Sequence, residues 1–173
     1  AHIVVDGSGP VRLDPPDLSL WPQIVLEQTG ANTRRVNLDT LTRAEVATWQ
    51  PGEKLLLTGR MLTGRDAAHH RMAELLRAGQ PLPVSLKDRV IYYVGPVQAV
   101  REEAVGPAGP TTATRMDGYV EEILAATGLL AMIGKGERGP EAVAAIARHK
   151  AASLIAVGGA AYLVSKAIKS ATV

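Results

Sequence analysis

TGLLAMIGKGERGPEAVAAIARHKAASLIAVGG, residues 127–159, reads as strand, glycine turn, helix, strand. The run up to Ile133 is a buried-type strand, and Gly134, Gly136 and Gly139 punctuate its end. Pro140 opens the helix over 139–151, at a position where a missing N–H is harmless. SLIAVGG (153–159) is the next strand, again closed by glycines. Two strands joined through a helix of this length are a parallel pair with a crossover.

The same unit recurs outward in both directions. RVIYYVGP (89–96) carries strong β formers and stops at Gly95-Pro96; MDGYVEEILAATG (116–128) reads as a helix. DAAHHRMAELLRAG, from Asp66, puts Ala68, Met72, Leu75 and Leu76 at helical spacing and ends on Gly79. KLLLTGRM (54–61) is a further strand, of buried type and ending at Gly59, AAYLVSKAIKS (160–170) a last helix, and ATV the opening of another strand. Residues 1–23, with Asp14-Pro15-Pro16-Asp17, read as an irregular N-terminal arm. The expected fold is α/β, built of strand–glycine turn–helix units around a largely parallel central sheet. Ligands of such sheets sit beyond the carboxyl ends of the strands. Here those ends carry TGRMLTGRD, VGP, IGKGERG and VGG.

Composition narrows the chemistry. At 173 residues the chain is one domain by length, and 46% apolar with 21% charged residues suits a globular protein. A net charge of +2, no Phe, two Trp and four Tyr argue against nucleic-acid binding. No apolar run approaches the roughly 18 residues of a membrane span, and no secretory signal stands at the start, so a cytoplasmic location is expected. Cysteine is absent, which excludes disulfides, a thiol nucleophile and any metal centre held by thiolates of this chain.

GKGERG (134–139) satisfies the GxGxxG pattern between a strand and a helix. A dinucleotide fold also wants an acidic residue at the end of the following strand, and SLIAVGG has none. The plainer readings are a glycine turn that starts a helix, or Lys135 with helix N–H groups holding a carboxylate. In TGRDAAHHRM (63–72), the plainer reading has Asp66 stabilising the dipole of a helix start and Arg65 salt-bridged on the surface. His69 and His70 are adjacent, hence about 100° apart on a helix, which is no compact metal pair; one of them is expected to pack within the fold. GPTTATRMDGY (109–119) is the densest stretch. Thr112 or Thr114 would suffice to cap a helix, yet three threonines and Arg115 stand there. With Arg65 and Lys135 on neighbouring loops, the set suits a small dianion gripped by guanidinium forks.

TGRDAAHHR, YYVGP, GPTTATRMD, IGKGERG and IAVGGAAYLVSKAIK, in this order and spacing, resemble the C-terminal domain or β subunit of class I fumarate hydratases, and the similar β subunit of L(+)-tartrate dehydratase. The resemblance covers residues 1–173 and implies a swivelling β/β/α domain that closes over a [4Fe–4S] cluster. That cluster would be ligated by cysteines of a partner, an N-terminal domain or α subunit, in a dimer of αβ units. Relatives continue past the segment ending here at SATV, so a C-terminal tail is expected beyond it.

By motif, the resemblance assigns Arg65 and Arg115 to the carboxylates of a dicarboxylate substrate, Lys135 to substrate binding, and Thr111 and Thr112 to the neighbourhood of the reacting carbon. Thr111 and Arg115 would be the catalytic pair, and no residue of this chain would bind metal. The implied reaction interconverts fumarate and (S)-malate, or converts tartrate to oxaloacetate. From another class, a non-catalytic module for an anion or nucleotide stands as the alternative.

Overall fold

The computed structural model describes residues 33–99 and 103–172; the arm read over residues 1–23 lies outside them. The elements run β1 (Thr33–Asn37), α1 (Arg43–Val46), β2 (Lys54–Thr58), β3 (Leu62–Thr63), α2 (Asp66–Arg77) and β4 (Val90–Tyr92). A 3-10 turn (Ala113–Met116) then leads into α3 (Asp117–Thr127), β5 (Ala131–Gly134), α4 (Pro140–Arg148), β6 (Ala152–Ile155) and α5 (Ala161–Ala167).

Strands β3 to β6 form a four-stranded sheet in sequence order, and every pairing in it is parallel. Sequential parallel strands joined by right-handed crossovers place their helices on one face, and the burial pattern agrees. Ile91 and Met132, paired across β4 and β5, pack with Met72 of α2, Val120, Ile123 and Leu124 of α3, and Ala142 and Ala145 of α4. The alternate residues Val90, Ala131 and Ile133 turn the other way, onto Val36, Leu38, Leu41 and Val46. There β1 and β2 pair in parallel as a separate two-stranded sheet. The layers are therefore two-stranded sheet, four-stranded sheet, helices. Strand β5 is covered on both faces, so all of Ala131–Gly134 is buried, as a run of apolar residues with no polar alternation requires.

Several boundaries differ from the sequence reading. The strand read in KLLLTGRM and ending at Gly59 is β2, Lys54–Thr58; Gly59 turns the backbone at φ +106°, and a short unanticipated strand, β3, then begins in the other sheet. Only a residue without a Cβ takes that φ easily. β1 and α1 were not anticipated at all. At the far end Ala171–Thr172 is irregular, and Val173 lies outside the described residues.

Candidate functional site

The GPTTATR stretch is held inside the sheet. Strands β4 and β5 are hydrogen-bonded as far as Tyr93 N–H to Ile133 O, 2.8 Å. There they part, and the chain around Thr111–Thr112 enters between them. Thr111 N–H donates to Tyr93 O (2.7 Å), Lys135 N–H to Thr111 O (3.0 Å), and Ala113 N–H to Lys135 O (2.8 Å). Thr112 and Lys135 thus form a parallel bridge beyond the last regular rung. The wedge is close-packed. A Cβ on Gly134 would lie 3.0 Å from Ala113 Cβ and from Tyr93 Cδ2, and 3.2 Å from Thr111 O. Two of the sequence-predicted loops are therefore joined through their backbones at the carboxyl end of the sheet.

None of the three threonines caps a helix. The 3-10 turn and α3 both begin without a side-chain cap, and no hydroxyl of Thr111, Thr112 or Thr114 hydrogen-bonds to another described residue. Thr111 is buried at 8% exposure, while Thr112 and Thr114 are open. This departs from the capping alternative. The start of α3 is fixed instead by Asp117, whose Oδ2 accepts Gly139 N–H at 2.7 Å.

Arg65 and Arg115 meet at Asp66. Arg115 Nε donates to Asp66 Oδ1 at 2.8 Å, and Arg65 Nε lies 3.7 Å from Oδ2. Each guanidinium engages Asp66 through Nε, so its terminal fork stays available for a carboxylate. Arg65 crosses Gly95 at the end of β4, where an added Cβ would lie 2.8 Å from its Nε. Lys135 makes no ion pair among the described residues, and its Cδ passes the β6 loop at Gly158. Three cationic side chains from three loops thus border one sheet end. Asp66 partly neutralises two of them.

Beneath them lies a set of which the sequence reading anticipated only a packed histidine. Arg138, its side chain 5% exposed, sits 2.7 Å from Asp117 through Nε, off the hydrogen-bonding axis. Its Nη1 donates to Tyr93 Oη (3.3 Å), and its guanidinium lies 5.5 Å from the centre of that ring. His69 packs edge-on to Tyr93 with centroids 5.0 Å apart. Its Nδ1 is 3.0 Å from Arg65 O, and since a carbonyl only accepts, Nδ1 carries the proton. Burial lowers the His69 pKa, which keeps the ring neutral near pH 7, and burial raises that of Tyr93. His70 faces outward beside Glu74. A mainly apolar cleft of about 730 Å³ beside α2 is lined by Leu62, Met72, Leu75, Leu86 and Ile91 among others, with Thr63 and Arg71 as its polar members.

The fumarase C-terminus family matches residues 7–173. The class I aerobic fumarate hydratase of Escherichia coli K12 is 38% identical over 128 residues, 73% of this chain and 23% of the relative. Fumarate hydratase 2 of Leishmania major is 32% identical over 152 residues, 87% of this chain and 27% of the relative. A Methanocaldococcus jannaschii protein provisionally named L(+)-tartrate dehydratase subunit beta is 33% identical over 131 residues, 75% of this chain and 67% of the relative. The chain spans about a quarter of the length of the fumarate hydratases it matches. With this match running over nearly its whole length, the chain belongs to the fumarase C-terminus family.

Proposed function

We propose that this chain is the substrate-holding and catalytic half of a hydro-lyase that interconverts fumarate and (S)-malate, completed by a domain or subunit carrying a [4Fe–4S] cluster. One observation carries the reading: Arg65, Arg115 and Lys135 arrive from three loops at one sheet end, with Thr111 and Lys135 locked in a shared backbone ladder. The chain's own residues do not fit a cluster. It has no cysteine, and the described residues hold no group of three His, Cys, Asp or Glu able to bind a metal. They fit the other requirement, an anion held in front of a cluster that the partner would ligate.

Adding water next to a carboxylate builds carbanion character that spreads into that carboxylate. Guanidiniums of Arg65 and Arg115 aimed there stabilise the developing charge, an effect removed only at the expense of rate. Lys135 holds the second carboxylate. Thr111 stands beside the reacting carbon; a lone hydroxyl is too weak an acid or base to act without a charged neighbour, which the partner would supply. The partner's cluster would contribute a Lewis-acidic iron.

A second reading has an observation in its favour. The chain covers two thirds of the tartrate dehydratase subunit beta but a quarter of the fumarate hydratases, so it matches a separate subunit more fully. Rates with fumarate, (S)-malate and tartrate, measured on the chain assembled anaerobically with its cluster-bearing partner, separate the two. The primary reading expects kcat/KM for fumarate to exceed that for tartrate. The reverse order would assign the chain to the tartrate enzyme.

A further inference from the structure

We propose that Arg138 and Asp117 are positioning residues, a buried clamp that sets Lys135 against Thr111 and Arg115; the proposal rests on the functional reading above. Asp117 closes the GPTTATRMD stretch, two residues after Arg115, and Arg138 closes the IGKGER stretch, three residues after Lys135. The two loops are tied at their near ends by the Thr112–Lys135 bridge. They are tied at their far ends by Arg138 Nε to Asp117 Oδ1 (2.7 Å) and by Gly139 N–H to Asp117 Oδ2 (2.7 Å). Arg115 stands between the ties on one loop, and Lys135 sits at the near tie on the other, three residues before Arg138. A third support comes from below, where Tyr93 accepts from Arg138 Nη1 and stacks under the guanidinium. Tyr93 is itself fully buried, and its backbone carbonyl receives Thr111 N–H. One aromatic residue thus touches both loops.

The pair is poorly explained as a source of stability. A buried guanidinium and carboxylate lose their hydration, and an apolar pair of similar volume does as well or better. Arg138 Nη2 is buried with no hydrogen-bond partner among the described residues, so the donor set is not saturated there. A Cβ on Gly139 would lie 3.0 Å from Asp117 Oδ2, so a side chain there would push the carboxylate by a few tenths of an ångström. Charge and stacking together fix where the Lys135 loop ends, and a displacement of about 1 Å at a substrate-holding group is enough to cost on the order of 100-fold in rate.

The test is a double-mutant cycle on the assembled enzyme. Arg138→Ala should lower kcat/KM for the dicarboxylate on the order of 10-fold to 100-fold, because Lys135 is misplaced. In a Lys135→Ala background the same change should cost less than about threefold, since the residue it positions is gone. Effects that simply multiply would show Arg138 to be structural only and overturn the proposal. Amide hydrogen exchange on the full chain gives a second readout with the isosteric Asp117→Asn. Faster exchange at Lys135 and Gly139 with Met132 unchanged supports the clamp; unchanged exchange at Lys135 and Gly139 refutes it. Should the unaltered assembly turn over neither fumarate nor tartrate, the functional reading fails, and the exchange result alone decides the clamp.

Discussion

Thr111, Thr112 and Thr114 stand close together in sequence and differ in what surrounds them. Thr111 is buried in the wedge between β4 and β5, whereas Thr114 points outward on the 3-10 turn and caps nothing. Thr114→Ala should therefore leave stability within about 0.5 kcal/mol, as for a surface change, and leave kinetics alone. Thr111→Ala should keep the fold and lower kcat in the assembled enzyme; if Thr114→Ala proves the more damaging in turnover, the two roles are reversed. Arg115→Lys keeps the charge but loses the planar fork, and a fall of at least about 100-fold in kcat/KM is expected. Near-normal kinetics would reduce Arg115 to a surface partner of Asp66. His69 makes a pH prediction. Burial lowers its pKa, opposed by the bond to Arg65 O; the Arg138 charge lowers it further and Asp66 raises it. An unfolded histidine titrates near about 6.5. The stability of the neutral buried ring is thus fully present above that value and is lost as pH falls through the lower folded value. Melting temperature should drop between pH 7.5 and 5.5, and the drop should shrink in His69→Gln; a flat profile would contradict the burial argument. The candidate cations stand out in the sequence because Arg65 and Lys135 adjoin glycines and Arg115 follows a run of threonines. Arg138 does not, because an ion pair spanning 117 to 138 leaves no local pattern.

At the level of elements, the parallel units on either side of Gly134 could be read from apolar runs and glycine stops. The two-stranded layer could not. TRRVN in β1 buries only Val36 fully, and its arginines mask the strand period. KLLLT looks like a central-sheet strand because its leucines are all partly covered, yet they serve the second layer. The wedge was equally hidden, since its hydrogen bonds join Tyr93, Thr111 and Lys135 across long stretches of chain. Two glycines test these placements. Gly134→Ala sets a methyl against Ala113 Cβ and the Thr111 carbonyl, neither of which is a flexible end. A loss of about 1–3 kcal/mol is expected by denaturant melts. Gly95→Ala meets only the pliable Arg65 side chain. The domain should melt normally while KM for the dicarboxylate rises in the assembly; an unchanged KM would mean that Arg65 does not work from across Gly95.

On the scale of the molecule, the layers leave the hydroxyls and Lys135 of the cationic sheet end without side-chain partners among the described residues. In the function proposed above, this sheet end holds the anion and a second, cluster-bearing body closes over it. No helix among the described residues is long and apolar enough to cross a membrane. The direct measurement is fumarate hydration by three anaerobic samples: the purified chain, the cluster-bearing partner, and the two together. Turnover is expected only in the mixture, abolished there by Arg115→Ala in a chain whose circular dichroism is unchanged. Turnover by the chain alone, or a mixture indifferent to Arg115, would contradict it.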